Sequence, residues 1–276
     1  MSPAARRMKS LRDYKMKGGR DMDDKKVIPY VIRMSDGNVI KMEHHDHLPS
    51  ASALAKEYAM RGYPDRYVVL AESVDSSSER GIYMSLILRP SIFPSQAVFV
   101  GPAAAVASAL ALQEHTTEKI GIGWISDLYC NLRYIGSVGV EGKLDNFTSY
   151  EYMMVNFAIQ LKGKNFPPRL TDMVRKVFES ESASIQMIIA KNILDKFFGF
   201  YITIKSSQKM MNSDKNLFAQ RGERVKCTIG DSAKTCKVLG VDSATCALVV
   251  EERGGKITNV TTPNGVTIPK RLKKKK

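Results

Sequence analysis

The sequence is short of the features that would place it outside a reducing aqueous compartment. Its four cysteines, Cys130, Cys227, Cys236 and Cys246, form no CxxC pair. Three of them lie in short apolar stretches with strand composition, so buried reduced thiols are expected, not disulfides or zinc ligands. There is one tryptophan. No window shows the unbroken apolar run of about 18 to 20 residues that a membrane span requires, and the first 26 residues are polar and charged almost throughout, unlike a secretory leader. The expectation is a soluble, cytoplasmic protein that contacts no membrane.

What is abundant is positive charge: 42 Lys and Arg against 28 Asp and Glu, a formal net charge of +14. Its placement argues against a nucleic-acid reader, because much of the excess sits in residues 1–26 and in the closing run 270–276. Both ends read as disordered basic tails, and no specific nucleic acid is expected.

Between the tails the pattern is that of mixed strands and helices. Val27–Arg33 and Asn38–Met42 flank Ser35-Asp36-Gly37, a hairpin turn. Ala51, Leu54, Ala55, Tyr58 and Ala59 recur at the spacing of one helical face. Tyr67–Ala71 and Ile82–Leu88 read as strands separated by a polar loop, and an Ala-rich helix opens with Pro102, whose missing N–H is harmless in a first turn. Strands at Ile120–Trp124, Tyr134–Glu141 and Tyr152–Leu161 follow, then helices at Thr171–Phe178 and Ser184–Phe198. From Gly222 onward, four short strands separated by Gly- or Asp-containing turns predict a small barrel.

This order, and several local stretches, resemble the biotin protein ligases. Gly81-Ile-Tyr-Met-Ser-Leu-Ile-Leu-Arg-Pro90 is similar to the strand after that family's nucleotide loop, and Gly101-Pro-Ala-Ala-Ala-Val-Ala-Ser-Ala-Leu110 to the next helix. Gly123-Trp-Ile-Ser-Asp-Leu-Tyr129 falls where the family has Lys-Trp-Pro-Asn-Asp-Leu-Tyr. Tyr134-Ile-Gly-Ser-Val-Gly-Val-Glu141 resembles the following strand, and residues 238–251 resemble the family's small SH3-like domain. The likeness spans roughly residues 48–268. It implies an α+β fold, with a mixed sheet flanked by helices over residues 27–218 and an SH3-like barrel over residues 222–268.

The resemblance also implies a reaction: ATP-dependent adenylation of biotin and transfer to a carrier-protein lysine, with biotin, ATP and magnesium as ligands. A lipoate or other acyl ligand is the alternative, although the Trp124 motif and the barrel look more like the biotin branch. Joining two anions needs fixed cations. Here the family's Arg/Gly-rich loop is replaced by Ser73-Val-Asp-Ser-Ser-Ser-Glu-Arg-Gly81, which keeps one Arg and one Gly and adds two acids. The family's lysine positions are Gly123 and Tyr134. Its biotin-facing Ser-Thr-Asn becomes Ser50-Ala51-Ser52, its loop glutamine becomes Val74, and its late Gly-x-Gly-x-Asn becomes Asn156-Phe-Ala-Ile-Gln160.

The candidate binding residues carried over are Ser50, Ser52, Arg80, Gly81, Trp124, Ser126, Asp127 and Gly136, with no catalytic residue assigned. Trp124, Asp127, Gly136 and Glu141 would equally persist for packing and turn geometry. The expected function is a divergent biotin protein ligase-like protein with impaired or lost catalysis; the rival is an inactive interaction module on the same scaffold. A biotin carrier protein and a homodimer are the implied partners. Glu43-His-His-Asp-His47 holds three histidines and two carboxylates. Adjacent ligands on a strand end point opposite ways and no second cluster completes a set, so a solvated loop is expected and no metal site is assigned.

Overall fold

A computed structural model of the protein describes residues 29–124, 126–145, 149–161, 185–202, 217–229, 232–242, 244–262 and 266–268. The expected helix at Thr171–Phe178 and both basic tails lie outside the described residues.

An eight-stranded mixed sheet forms the larger part, in the order β1-β2-β3-β4-β8-β7-β6-β5. Its strands are β1 (Tyr30–Arg33), β2 (Val39–His45), β3 (Tyr67–Ala71), β4 (Gly81–Leu88), β5 (Ile120–Gly123), β6 (Asp127–Cys130), β7 (Arg133–Asp145) and β8 (Ser149–Gln160). β3 and β4 are buried along their whole length, as their runs of Val, Leu and Ile require of central strands. β2 and β3 are parallel, joined through α1 (Ala51–Met60), a βαβ crossover. Ser50 caps α1, its Oγ accepting from the Ala53 N–H at 3.2 Å.

Helices cover both faces. α1 packs on Val69, Ile87, Tyr152 and Met154. The other face carries α3 (Val100–Gln113) and α4 (Ile185–Tyr201), preceded by the single turn α2 (Pro94–Ala97). Pro102 lies in the first turn of α3, as predicted. The stretch Pro94–Gln113 is long and apolar enough to cross a membrane by length and composition, which corrects the expectation that no such run exists. Most of it is buried inside the fold, where an all-apolar surface is what packing against both sheet and α4 demands.

A second, antiparallel sheet has the order β12-β11-β10-β9-β13, from β9 (Arg224–Ile229), β10 (Ser232–Val241), β11 (Leu248–Glu251), β12 (Ile257–Val260) and β13 (Val266–Thr267). Its core of Val225, Cys227, Cys236, Val238, Leu248 and Val250 also takes in Trp124 from the turn after β5. All four cysteines are free, and burial pushes the thiols of Cys130, Cys227 and Cys246 up to about 11.

Three sequence readings need correction. Asp127–Cys130, expected as a polar connection, is strand β6, paired with both β5 and β7. β7 runs to Asp145, past the predicted end at Glu141, because the β7–β8 hairpin continues beyond the core as a solvent-exposed ribbon. Residues 43–45 are not a solvated loop: Glu43 is 7% exposed and His44 and His45 are half-buried within β2.

Candidate functional site

The backbone after β5 turns sharply. Ser126 adopts a φ of 68°, a left-handed conformation that favours glycine, and its carbonyl accepts from the Val138 N–H at 3.0 Å. Its side chain is buried, its Oγ has no hydrogen-bond partner among the described residues, and that Oγ lies 3.2 Å from where Gly101 would carry a β-carbon.

Alongside β5 runs the segment 217–219, joined by two backbone bonds between Ile122 and Leu217 or Ala219, each 2.8 Å. This track delivers Gln220, which is fully buried, to the turn. Gln220 Oε1 accepts from the Trp124 N–H at 3.0 Å, and its Nε2 donates to the Tyr129 hydroxyl at 3.2 Å. Tyr129 in turn hydrogen-bonds Asp127; burial, and then that carboxylate, raise its pKa. The Trp124 indole N–H donates to the Cys246 carbonyl at 2.7 Å, pinning the two sheets together.

Gly123, one of the two family lysine positions, is sealed by this network. A β-carbon there would lie 2.4 Å from Gln220 Nε2 and 2.8 Å from the Tyr129 ring. Tyr134, the other position, is half-buried and packs edge-on against Tyr129, ring centroids 6.1 Å apart. Gly136 and Gly81 are glycines for a packing reason: β-carbons there would sit 2.1 Å from the carbonyl oxygens of Ala158 and Ile159 respectively.

The residues aligned with the family's biotin contacts are engaged within the protein. Ser50 and Ser52 share a hydrogen bond of 3.1 Å at the start of α1. Asn156, standing where the family has glycine, donates to Glu141 at 3.1 Å, and Glu141 accepts from Lys56 at 2.9 Å, a chain across the sheet face from α1. The 73–81 loop is fastened to β4: the Tyr83 hydroxyl donates to the Glu79 carbonyl at 2.7 Å and shares a hydrogen bond of 2.6 Å with Ser77. Its single guanidinium, Arg80, is paired with Glu72.

A cavity of about 1220 Å³ opens between the first turn of α3, the free edge of β7 and the second sheet. Gly123, Trp124, Ser126 and Asp127 line it, together with the exposed Arg221. Ser50, Ser52, Arg80, Gly81, Tyr134 and Gly136 are not among its lining residues, so only part of the set predicted from resemblance faces this cavity. Gln220, Tyr129 and Glu72, absent from the sequence-based set, dominate the geometry. A carboxylate and a triphosphate held together need free cations and an open sheet face. Gly123 closed off by Gln220, Arg80 paired with Glu72, and Asn156 at a glycine position depart from that pattern.

No protein-family model matches the sequence, and no curated protein matches it. Solved structures do. The biotin protein ligase of Aquifex aeolicus superposes with a TM-score of 0.61 at 15% identity, covering 84% of this chain and 98% of that one. The same enzyme in complex with biotin and ATP gives 0.61 at 14%, over 82% and 97%. A biotin protein ligase-like protein of unknown function from a Silicibacter species gives 0.60 at 14%, over 80% and 94%. At these identities the likeness is one of architecture: the chain has the α+β fold of the biotin protein ligases.

Proposed function

We propose that the chain is a divergent biotin protein ligase-like protein in which adenylation of biotin is impaired or lost, and that the scaffold, with a ligase-like domain over residues 27–218 and an SH3-like barrel over residues 222–268, acts as a binding module. The observation that carries this reading is the sealing of Gly123 by Gln220 and Tyr129. An ammonium cannot be recruited where a buried glutamine already bonds both neighbours. Each missing donor to the reacting phosphate removes roughly 3 to 4 kcal/mol of transition-state stabilisation. Two such losses correspond to about 10⁴-fold or more in rate.

A second reading retains ligase-type chemistry, with biotin, ATP and magnesium as ligands, a biotin carrier protein as acceptor and a homodimer as the working form. It draws support from the cavity beside Trp124, Ser126 and Asp127, and from the Aquifex aeolicus structure that holds biotin and ATP.

Calorimetric titration of the full chain with biotin, with ATP and magnesium, and with a biotinyl-adenylate analogue separates the two. The proposal expects dissociation constants no tighter than about 1 mM for all three ligands. Micromolar binding of the analogue contradicts it and favours the second reading.

A further inference from the structure

At the end of β2 the strand alternation puts His44 and Asp46 on one face. The parallel neighbour β3 pairs His44 with Leu70 and His45 with Ala71, so the next residues, Asp46 and Glu72, come level with one another. The ligand atoms of His44, Asp46 and Glu72 all lie within 4.8 Å of one another, and His44 Nε2 stands 3.1 Å from Glu72 Oε1. Glu72 is buried, His44 half-buried and Asp46 exposed.

We propose that His44, Asp46 and Glu72 form a site for a divalent first-row transition-metal ion such as zinc. One imidazole and two carboxylates are a borderline donor set that suits such an ion. With metal–ligand bonds of about 2.0 to 2.2 Å, neighbouring donors sit about 3 to 4 Å apart. The His44–Glu72 spacing already fits, and the exposed Asp46 closes the remaining gap by side-chain rotation. Three protein donors leave the outward positions to water.

The surroundings orient the donors as outer hydrogen-bond partners do in metal centres. Arg80 holds the other Glu72 oxygen, the Gly81 N–H donates to the Glu72 carbonyl at 2.9 Å, and the Ser73 hydroxyl donates to the Asp46 carbonyl at 2.9 Å. Glu72 precedes the 73–81 loop and Arg80 and Gly81 end it, so a bound ion ties β2 to both ends of that loop. The site is independent of the ligase reading.

Titrating the metal-stripped full chain with zinc, and with cobalt read by its visible absorption, tests it. One ion per chain is expected, with a dissociation constant of micromolar order. Asp46→Asn, at an exposed position that leaves folding intact, weakens binding at least tenfold, as does Glu72→Gln. His47→Ala, in the exposed neighbouring pair with Asp75, leaves it unchanged. Failure of the wild-type chain to bind either ion, or equal binding by Asp46→Asn, overturns the site.

Discussion

The side chain of Gln220 stands where a residue larger than glycine at position 123 would have to go, its Nε2 2.4 Å from the missing β-carbon. One contact thus closes a position at which the related fold carries a lysine, and also fastens the strand before the turn to the segment that enters the second sheet.

Gly123→Ala therefore overpacks this point. The Tyr129 ring, 2.8 Å from the added carbon, cannot retreat as a chain end can. The expected loss is about 1 to 3 kcal/mol in urea unfolding. Fluorescence of Trp124, the single tryptophan, reports it directly. Gly123→Lys should lose at least as much.

Gln220→Leu keeps the volume but strands the buried Trp124 N–H and leaves the Tyr129 hydroxyl with its bond to Asp127 alone. Leaving a buried donor unpaired costs about 1 to 3 kcal/mol. A midpoint within error of wild type would show that Gln220 is not a structural plug.

Ser126 combines a left-handed backbone with a buried hydroxyl that has no partner among the described residues. Ser126→Gly relieves both, and the expected effect is a gain of roughly 1 kcal/mol, measured by thermal unfolding. A loss would mean that the hydroxyl makes a contact essential to the fold.

These residues show where sequence reading works and where it stops. β3 and β4 are legible as short, nearly unbroken apolar runs, and α1 by the helical spacing of Ala51, Leu54, Ala55, Tyr58 and Ala59. Strand β6 is not, since four residues beginning with Asp127 carry no alternation and the positive φ of Ser126 leaves no mark in the sequence. Gln220 and Glu72 escape sequence reading for a different reason. Each acts on a residue brought near by the fold, Gln220 on Trp124 across 96 positions and Glu72 on His44 across 28. The resemblance places the Gly123 and Tyr134 positions, but not what fills the space beside them.

Glu43 gives a pH dependence. Burial pushes its pKa up, but hydrogen bonds from His45, Tyr67 and Tyr58 outweigh it, and the pKa lies below the ordinary glutamate value. A carboxylate with a depressed folded-state pKa stabilises the fold fully above its unfolded pKa of about 4.3, and loses that contribution as pH falls through the lower folded value. Glu43→Gln should be clearly less stable than wild type at neutral pH, and the gap should narrow in acid. A gap constant with pH would contradict this assignment.

The central claim is that the ligase scaffold persists without its adenylation chemistry. Biotin-dependent exchange of labelled pyrophosphate into ATP, catalysed by the full-length chain with magnesium, tests it most directly, because exchange needs only the first half-reaction and no carrier. The account predicts exchange no greater with biotin than without it. Exchange that rises with biotin and saturates would contradict it, and would mean that cations at positions other than 123 and 134 meet the phosphate.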